Sequence, residues 1–188
     1  MPDHQLQLTP SYRQAGFSLL ELTLVAVIMI IIAAIAIPDG SSGDAPRLES
    51  VARQFAEALR HARSESLRQG QPVAVLLLPA ERRIEVRQVD SSMSPWSLAG
   101  NLLHPVSKTD YVIEADRTLP GIVVDTALTT EDGRGCDSEQ AFWFDTRGSA
   151  WCKNPNDVAV REYRVTLTRG QHHRLIVLDG PSGRVQVE

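Results

Sequence analysis

Residues Phe17 to Ile37 form a run of 21 residues, FSLLELTLVAVIMIIIAAIAI, in which only Ser18, Glu21 and Thr23 are polar. As a helix such a run is about 30 Å long, the thickness of the hydrocarbon core of a bilayer. A helix that is apolar on every side must be surrounded, by lipid or by other protein. The run therefore predicts a membrane-spanning helix and leaves the rest of the chain to build the folded domain. Glu21 is the informative residue within it. A lone carboxylate costs roughly 2.5–3.5 kcal/mol at mid-membrane, and a helix that only anchors has no need of one. A helix that leaves lipid to join a neighbour can use it, because a buried charge needs an opposite charge.

Two plain readings of the N-terminus fit less well. A secretory signal peptide would use Ala34-Ile35-Ala36 as its cleavage site. Its charged leader would then be weak, with Arg13 and His4 against Asp3, and Glu21 would lie inside the apolar region. A simple signal anchor accounts for the length but not for Gly16-Phe17 followed by Glu21. A polar leader ending in Gly16, then Phe17, the run Ser-Leu-Leu-Glu21, an apolar helix and Pro38 resembles the prepilin signal of type IV pilins and type II secretion pseudopilins. The resemblance implies cleavage after Gly16 by a membrane-embedded prepilin peptidase, with Phe17 as the new, N-methylated terminus. Glu21, four residues on, is one helical turn from that amine. In an assembling filament it would pair with the amine of a neighbouring subunit. Such a pair gains little net stability but penalises a wrong register by several kcal/mol, on the order of what an unpaired buried charge costs. Pro38 resembles the proline that bends the long pilin helix, since it donates no backbone hydrogen bond and clashes with the preceding turn.

Beyond the anchor, Asp39-Gly-Ser-Ser-Gly-Asp-Ala-Pro46 is a breaker cluster and predicts a hinge. Arg47 to Gln69 has the spacing of an amphipathic helix, with Leu48, Val51, Ala52, Phe55, Ala58, Leu59, Ala62 and Leu67 on the apolar side and Gly70 placed to end it. Strands are predicted at Val73–Leu78, Ile84–Val89, Tyr111–Ala115, Ile122–Thr126, Ala141–Phe144, Ala150–Cys152, Tyr163–Thr168, Arg174–Leu178 and Arg184–Val187. Ser91 to Asp110 reads as a long loop and Thr129 to Ser138 as a polar one. Trp143 and Trp151 are expected to face each other across one hairpin, and Trp96 is a candidate either for a subunit contact or for packing over the sheet. The expected fold is α+β: an N-terminal transmembrane helix, then an amphipathic helix packed on an antiparallel β-sheet. The expected organisation is a leader over 1–16, the transmembrane and assembly helix over 17–38, a hinge linker over 39–46 and a head over 47–188.

The helix Ala58-Leu-Arg-His-Ala-Arg-Ser-Glu-Ser-Leu-Arg-Gln-Gly70 with Pro72-Val-Ala-Val75 resembles the GspH/FimT family of H-type minor pseudopilins and related minor pilins. Phe144-Asp-Thr-Arg-Gly-Ser149 and Gly183-Arg-Val-Gln-Val187 add to that likeness. It implies a pilin-like subunit of the bacterial inner membrane with its head in the periplasm. The implied partners are other minor pseudopilins, the major pseudopilin, the prepilin peptidase and the inner-membrane assembly platform. The alternative it leaves open is a minor type IV pilin acting in pilus assembly or DNA uptake. In an oxidising periplasm, Cys136 and Cys152 are expected to form a disulfide, worth roughly 3 kcal/mol for a loop of this size.

Little else in the chain carries chemistry. The net charge of −4 gives no overall basic field for nucleic acid. Arg161, Arg164, Arg169, Arg174 and Arg184 crowd the last 28 residues but are opposed by Glu162, Asp179 and Glu188. His172 and His173 are adjacent on a strand and point to opposite faces, so they do not chelate a metal. Glu131, Asp132 and Asp137 lack the spacing of a calcium-binding loop. There is no nucleophile elbow or phosphate loop. The reading is of a structural subunit, not an enzyme, with no cofactor and no metal.

Overall fold

The computed structural model describes residues 18–36, 43–90, 97–138, 140–154 and 156–188. It divides into two units, Met1–Asp39 and Gly40–Glu188. In the first, Leu19–Ala36 forms helix α1 of 18 residues. Its described apolar side chains are all exposed, from 47% at Ile28 to 81% at Leu19. Among the described residues no helix is long and apolar enough to cross a membrane. Phe17 and Ile37, the ends of the expected span, lie outside the described residues.

The second unit is built on helix α2, Asp44–Gln69. It starts three residues before the expected Arg47, so the described end of the expected hinge, Asp44 to Pro46, is helical. Pro46 is tolerated there because the first turn of a helix has no acceptor for its missing N–H. Leu48, Val51, Ala52, Phe55, Ala58, Leu59 and Ala62 are all buried, each at three- or four-residue spacing. The stripe then continues through Ser66 rather than Leu67, which is 47% exposed. Ser66 tolerates burial because its hydroxyl donates to Arg63 O at 2.7 Å. The helix ends at Gly70, whose N–H donates to Ser66 O at 3.0 Å.

The described strands are β1 (Val73–Leu78), β2 (Arg83–Asp90), β3 (Ser97–Asn101), β4 (Val112–Glu114), β5 (Val123–Thr130), β6 (Ala141–Phe144), β7 (Ala150–Asn154), β8 (Asn156–Arg169), β9 (His172–Asp179) and β10 (Arg184–Val187). A single path of hydrogen-bonded neighbours runs β10-β9-β8-β7-β6-β1-β2-β3, with β4 on β2 and β5 on β8. All the pairings are antiparallel. β1 is central and reads VAVLLL, an apolar run that suits a strand flanked on both edges. α2 packs across β1, β2, β6, β8, β9 and β10. Phe55, Phe142, Phe144, Tyr163 and Ile176 fill the layer between helix and sheet, and each such side chain contributes about 1.5–3 kcal/mol by leaving water.

β8 does two jobs. Its first residues pair with β7, as Val158 with Cys152 and Ala159 with Trp151. From Glu162 onward it lies between β9 and β5. The expected loop over 91–110 is partly ordered. β3 pairs with the end of β2, and Leu103 bridges Asp110 to close a hairpin tip. The expected strand Tyr111–Ala115 is shorter, because the chain turns into a short helix, α3, over Ala115–Thr118. The expected polar loop from Thr129 begins later, since β5 extends to Thr130. Trp96 lies outside the described residues.

Candidate assembly site

At the start of α1, Ser18 O accepts the N–H groups of Glu21 at 3.0 Å and Leu22 at 3.1 Å. The Thr23 hydroxyl donates back to Leu20 O at 2.8 Å, which gives this polar side chain a partner within its own helix. Glu21 is in the first turn, where the helix dipole favours a carboxylate, and it is exposed. Ser18 and Glu21 have the Ser-x-x-Glu spacing of a capping box, a helix-start signal. Gly16, Phe17 and Pro38 lie outside the described residues.

On the head, two carboxylates at the start of α2 reach basic residues of the sheet. Asp44 pairs with Arg169 at 3.4 Å and Glu49 with Arg174 at 2.7 Å. Glu49 is also held by Arg53 at 2.8 Å. The hydrogen bond from Arg174, then that from Arg53, lowers the Glu49 pKa. Arg169 continues to Gly121 O at 3.1 Å, and Gly121 N donates to Asp116 Oδ1 at 2.7 Å, which in turn meets Arg82 at 2.8 Å. The Gly121 N–H is the main reason the Asp116 pKa is lowered. This polar chain ties α3 and the turn before β2 to the first turn of α2.

Further along α2, Arg60 donates to Val185 O at 3.0 Å and Arg63 to Gly148 O at 3.2 Å. The three segments that carry the family likeness, the second half of α2, the turn Asp145–Gly148 and the chain after Gly183, thus meet in space. Their spacing in sequence is far, but two arginines on one helix face hold both turns. Asp145 organises its own turn by accepting from Arg147 N at 2.8 Å and Ser149 N at 2.9 Å. Ser149 Oγ then donates to Pro181 O at 3.1 Å, linking the two turns directly.

Cys136 and Cys152 are joined by a disulfide, with Cα atoms 5.8 Å apart. It fixes the loop before β6 onto β7, and Asp137 N adds a bond to Lys153 O at 2.6 Å. Trp143 and Trp151 are direct cross-strand partners. The Trp151 indole N–H donates to Asp145 Oδ2 at 3.2 Å, and the Lys153 ammonium lies 5.9 Å from the Trp143 ring centre. In the acidic loop, Asp132 accepts from Arg134 N at 3.1 Å and Thr130 Oγ1 at 2.8 Å. Those bonds, the Arg134 N–H first, lower the Asp132 pKa. Asp132 thus shapes its own turn, and among the described residues no group of acidic, histidine or cysteine side chains is arranged to hold a metal.

An amphipathic helix laid across an antiparallel sheet, in a chain that also has an all-apolar helix with one early carboxylate, defines a pilin-like α+β protein. The family model described as Type II transport protein GspH matches residues 51–183, and the chain belongs to that family. The head is similar in fold to the minor pseudopilin EpsH from the type II secretion system of Vibrio cholerae. One structure of EpsH gives 14% identity over 76% of this chain and 96% of that one, with a TM-score of 0.50. A second gives 14% identity over 76% and 94%, with a TM-score of 0.51. The type IV minor pilin FimU of Pseudomonas aeruginosa is more distant in shape, at 16% identity over 75% and 87% and a TM-score of 0.46. No curated protein matches the chain in sequence.

Proposed function

We propose that the chain is a minor pseudopilin of a type II secretion system, a structural subunit that helps export folded proteins across the outer membrane. The observation that carries this reading is a GspH-family head in the same chain as α1, whose described side chains are exposed and, apart from Glu21 and Thr23, apolar. The sequence run from Phe17 to Ile37 that contains α1 is 21 residues, the length a spanning helix needs. The chain would enter the inner membrane as a single pass with its head in the periplasm. The prepilin peptidase would cut after Gly16, and Phe17 would be N-methylated.

Assembly then exchanges lipid for protein around α1. Glu21 meets the Phe17 amine of a neighbouring subunit, so the charges are compensated as they are desolvated. Only the correct register achieves this, because an unpaired buried charge costs about 3–5 kcal/mol. Pro38 bends the stem, and the segment from Asp39 to the start of α2 at Asp44 joins it to the head. The head supplies the contacts with other minor pseudopilins and the major pseudopilin at the assembly platform. DNA binding has weaker support. Arg164, Arg169 and Arg174 are engaged by Glu162, Asp44 and Glu49, which reduces the cationic surface open to phosphates.

Peptide mapping of the protein isolated from membranes tests this reading. The expected mature terminus is methylated Phe17, and a start at any other residue refutes it. Glu21→Ala is expected to be processed normally yet fail to enter the pseudopilus; normal incorporation would overturn the pairing role.

A further inference from the structure

Between β3 and β4 the chain makes a hairpin tip that is built around one imidazole. His104 Nδ1 accepts two backbone N–H groups, from Val106 and Ser107, each at 3.2 Å. The tip is closed by His104 N to Thr109 O at 2.7 Å and Lys108 N to His104 O at 3.0 Å. Lys108 adopts a positive φ of 57° to complete the loop. At the base, Asn101 Nδ2 donates to Asp110 Oδ2 at 2.9 Å. The apex presents Val106 at 82% exposure, and Leu103 at the base is 55% exposed. An exposed loop with two apolar side chains owes its shape to these few bonds.

The imidazole is itself positioned. Its ring lies against Tyr111 with centroids 4.9 Å apart, and Tyr111 stacks on His61 of α2 at the same distance. Two donors aimed at Nδ1 require that this nitrogen carry no proton, so the ring must be the neutral Nε2–H tautomer. Protonation of Nδ1 would place an N–H against two other N–H groups and remove both bonds at once.

We infer that His104 is a proton-released clasp: the neutral ring holds the 103–110 tip in shape, and the charged ring frees it. The surroundings are mixed in sign. Glu57 of α2, Glu114 of β4 and Arg117 of α3 line the cleft that His104 shares with Tyr111, and Lys108 is on the tip itself. Tyr111, whose phenol is pushed above its usual 10 by burial, and beyond it His61 are the remaining titratable neighbours; His61 is the basic one. Burial pushes it below its usual 6.5; nearby Glu65 opposes that shift, and His104 and Arg68 add to it. A charge on His104 therefore arises beside a partner that resists taking a second one.

The test uses the full-length chain in detergent, followed by nuclear magnetic resonance across pH 4 to 8, roughly the range over which histidines titrate. Ring nitrogen shifts should show the Nε2–H tautomer for neutral His104. Exchange protection of the Val106 and Ser107 amides, corrected for intrinsic rates, should fall about tenfold over the same interval in which the ring gains its proton. Amides of β8 should keep theirs. In His104→Asn the side-chain oxygen replaces Nδ1 as acceptor, as in an Asx turn. That variant should stay protected with no pH transition, whereas His104→Ala should be unprotected throughout. An Nδ1–H tautomer, protection unchanged through the His104 titration, or a pH transition that survives in His104→Asn would each overturn the inference.

Discussion

Gly183→Ala is expected to destabilise the head well beyond the usual glycine effect, because two turns close on one side chain there. Gly183 has φ 63°, and a Cβ built on it lands inside van der Waals contact with Gly148 O and the Arg63 side chain. Left-handed backbone costs an alanine about 1 kcal/mol. Arg63 can swing aside, but Gly148 O is backbone and must move with its turn, at about 1 kcal/mol or more for the forced shift. The Arg63 to Gly148 bond is then lost, another ~1 kcal/mol. The sum is about 3 kcal/mol. Gly170 is the internal control: its φ is 57° and nothing lies within 4 Å of an added Cβ, so Gly170→Ala should cost only about 1 kcal/mol. Urea unfolding of the full-length chain in detergent, followed by tryptophan fluorescence, gives both values. Equal costs for the two variants would refute the claim that Arg63 and the two turns form one packed unit.

Three further outcomes are expected. Replacing Cys136 and Cys152 together by serine should cost about 3 kcal/mol in the same assay, and reductant should reproduce that loss in the native chain but leave the double variant unchanged. The hydrogen bond from Arg68 is the main reason the Glu65 pKa is lowered from 4.5 to about 2, with Gln69 adding a second bond. The stabilisation is thus present above pH 4.5 and lost as pH falls toward 2; screening of the exposed Arg68 limits it to about 1 kcal/mol. Glu65→Gln should remove that acid-dependent part, seen as native and variant stabilities converging by pH 2. Phe55→Ala, at the centre of the buried face of α2, should cost about 3–5 kcal/mol, measured by the same unfolding curves.

The elements most legible in the sequence are those whose pattern is set by a single environment. β1, β6 and β10 match their expected bounds because each is a short apolar or alternating run with breakers on both sides. β3 reads Ser-Leu-Ala-Gly-Asn and has almost no strand preference of its own. It exists because β2 offers it an edge, which no local pattern reveals. The pattern predicts β8 only from Tyr163, since the short apolar run Val158–Val160 sits between polar Asn156-Asp157 and Arg161-Glu162 and owes its extension to pairing with β7. Leu67 was expected inside by spacing, yet Ser66 takes the buried position because the stripe drifts around the helix. For the assembly site, Glu21 stands out as the one acidic residue in an apolar run. The clasp of His104 was not legible, because its meaning lies in two backbone donors and a ring that stacks from another element.

The double pairing of β8 has a mechanical consequence. One continuous strand pairs with β7 along its first residues and with β5 and β9 along the rest, so the two parts of the sheet share a backbone and cannot separate without breaking pairings of β8 itself. A load carried along β8 is shared among its many backbone bonds to β5 and β9, so the parts of the sheet that it joins should give way together.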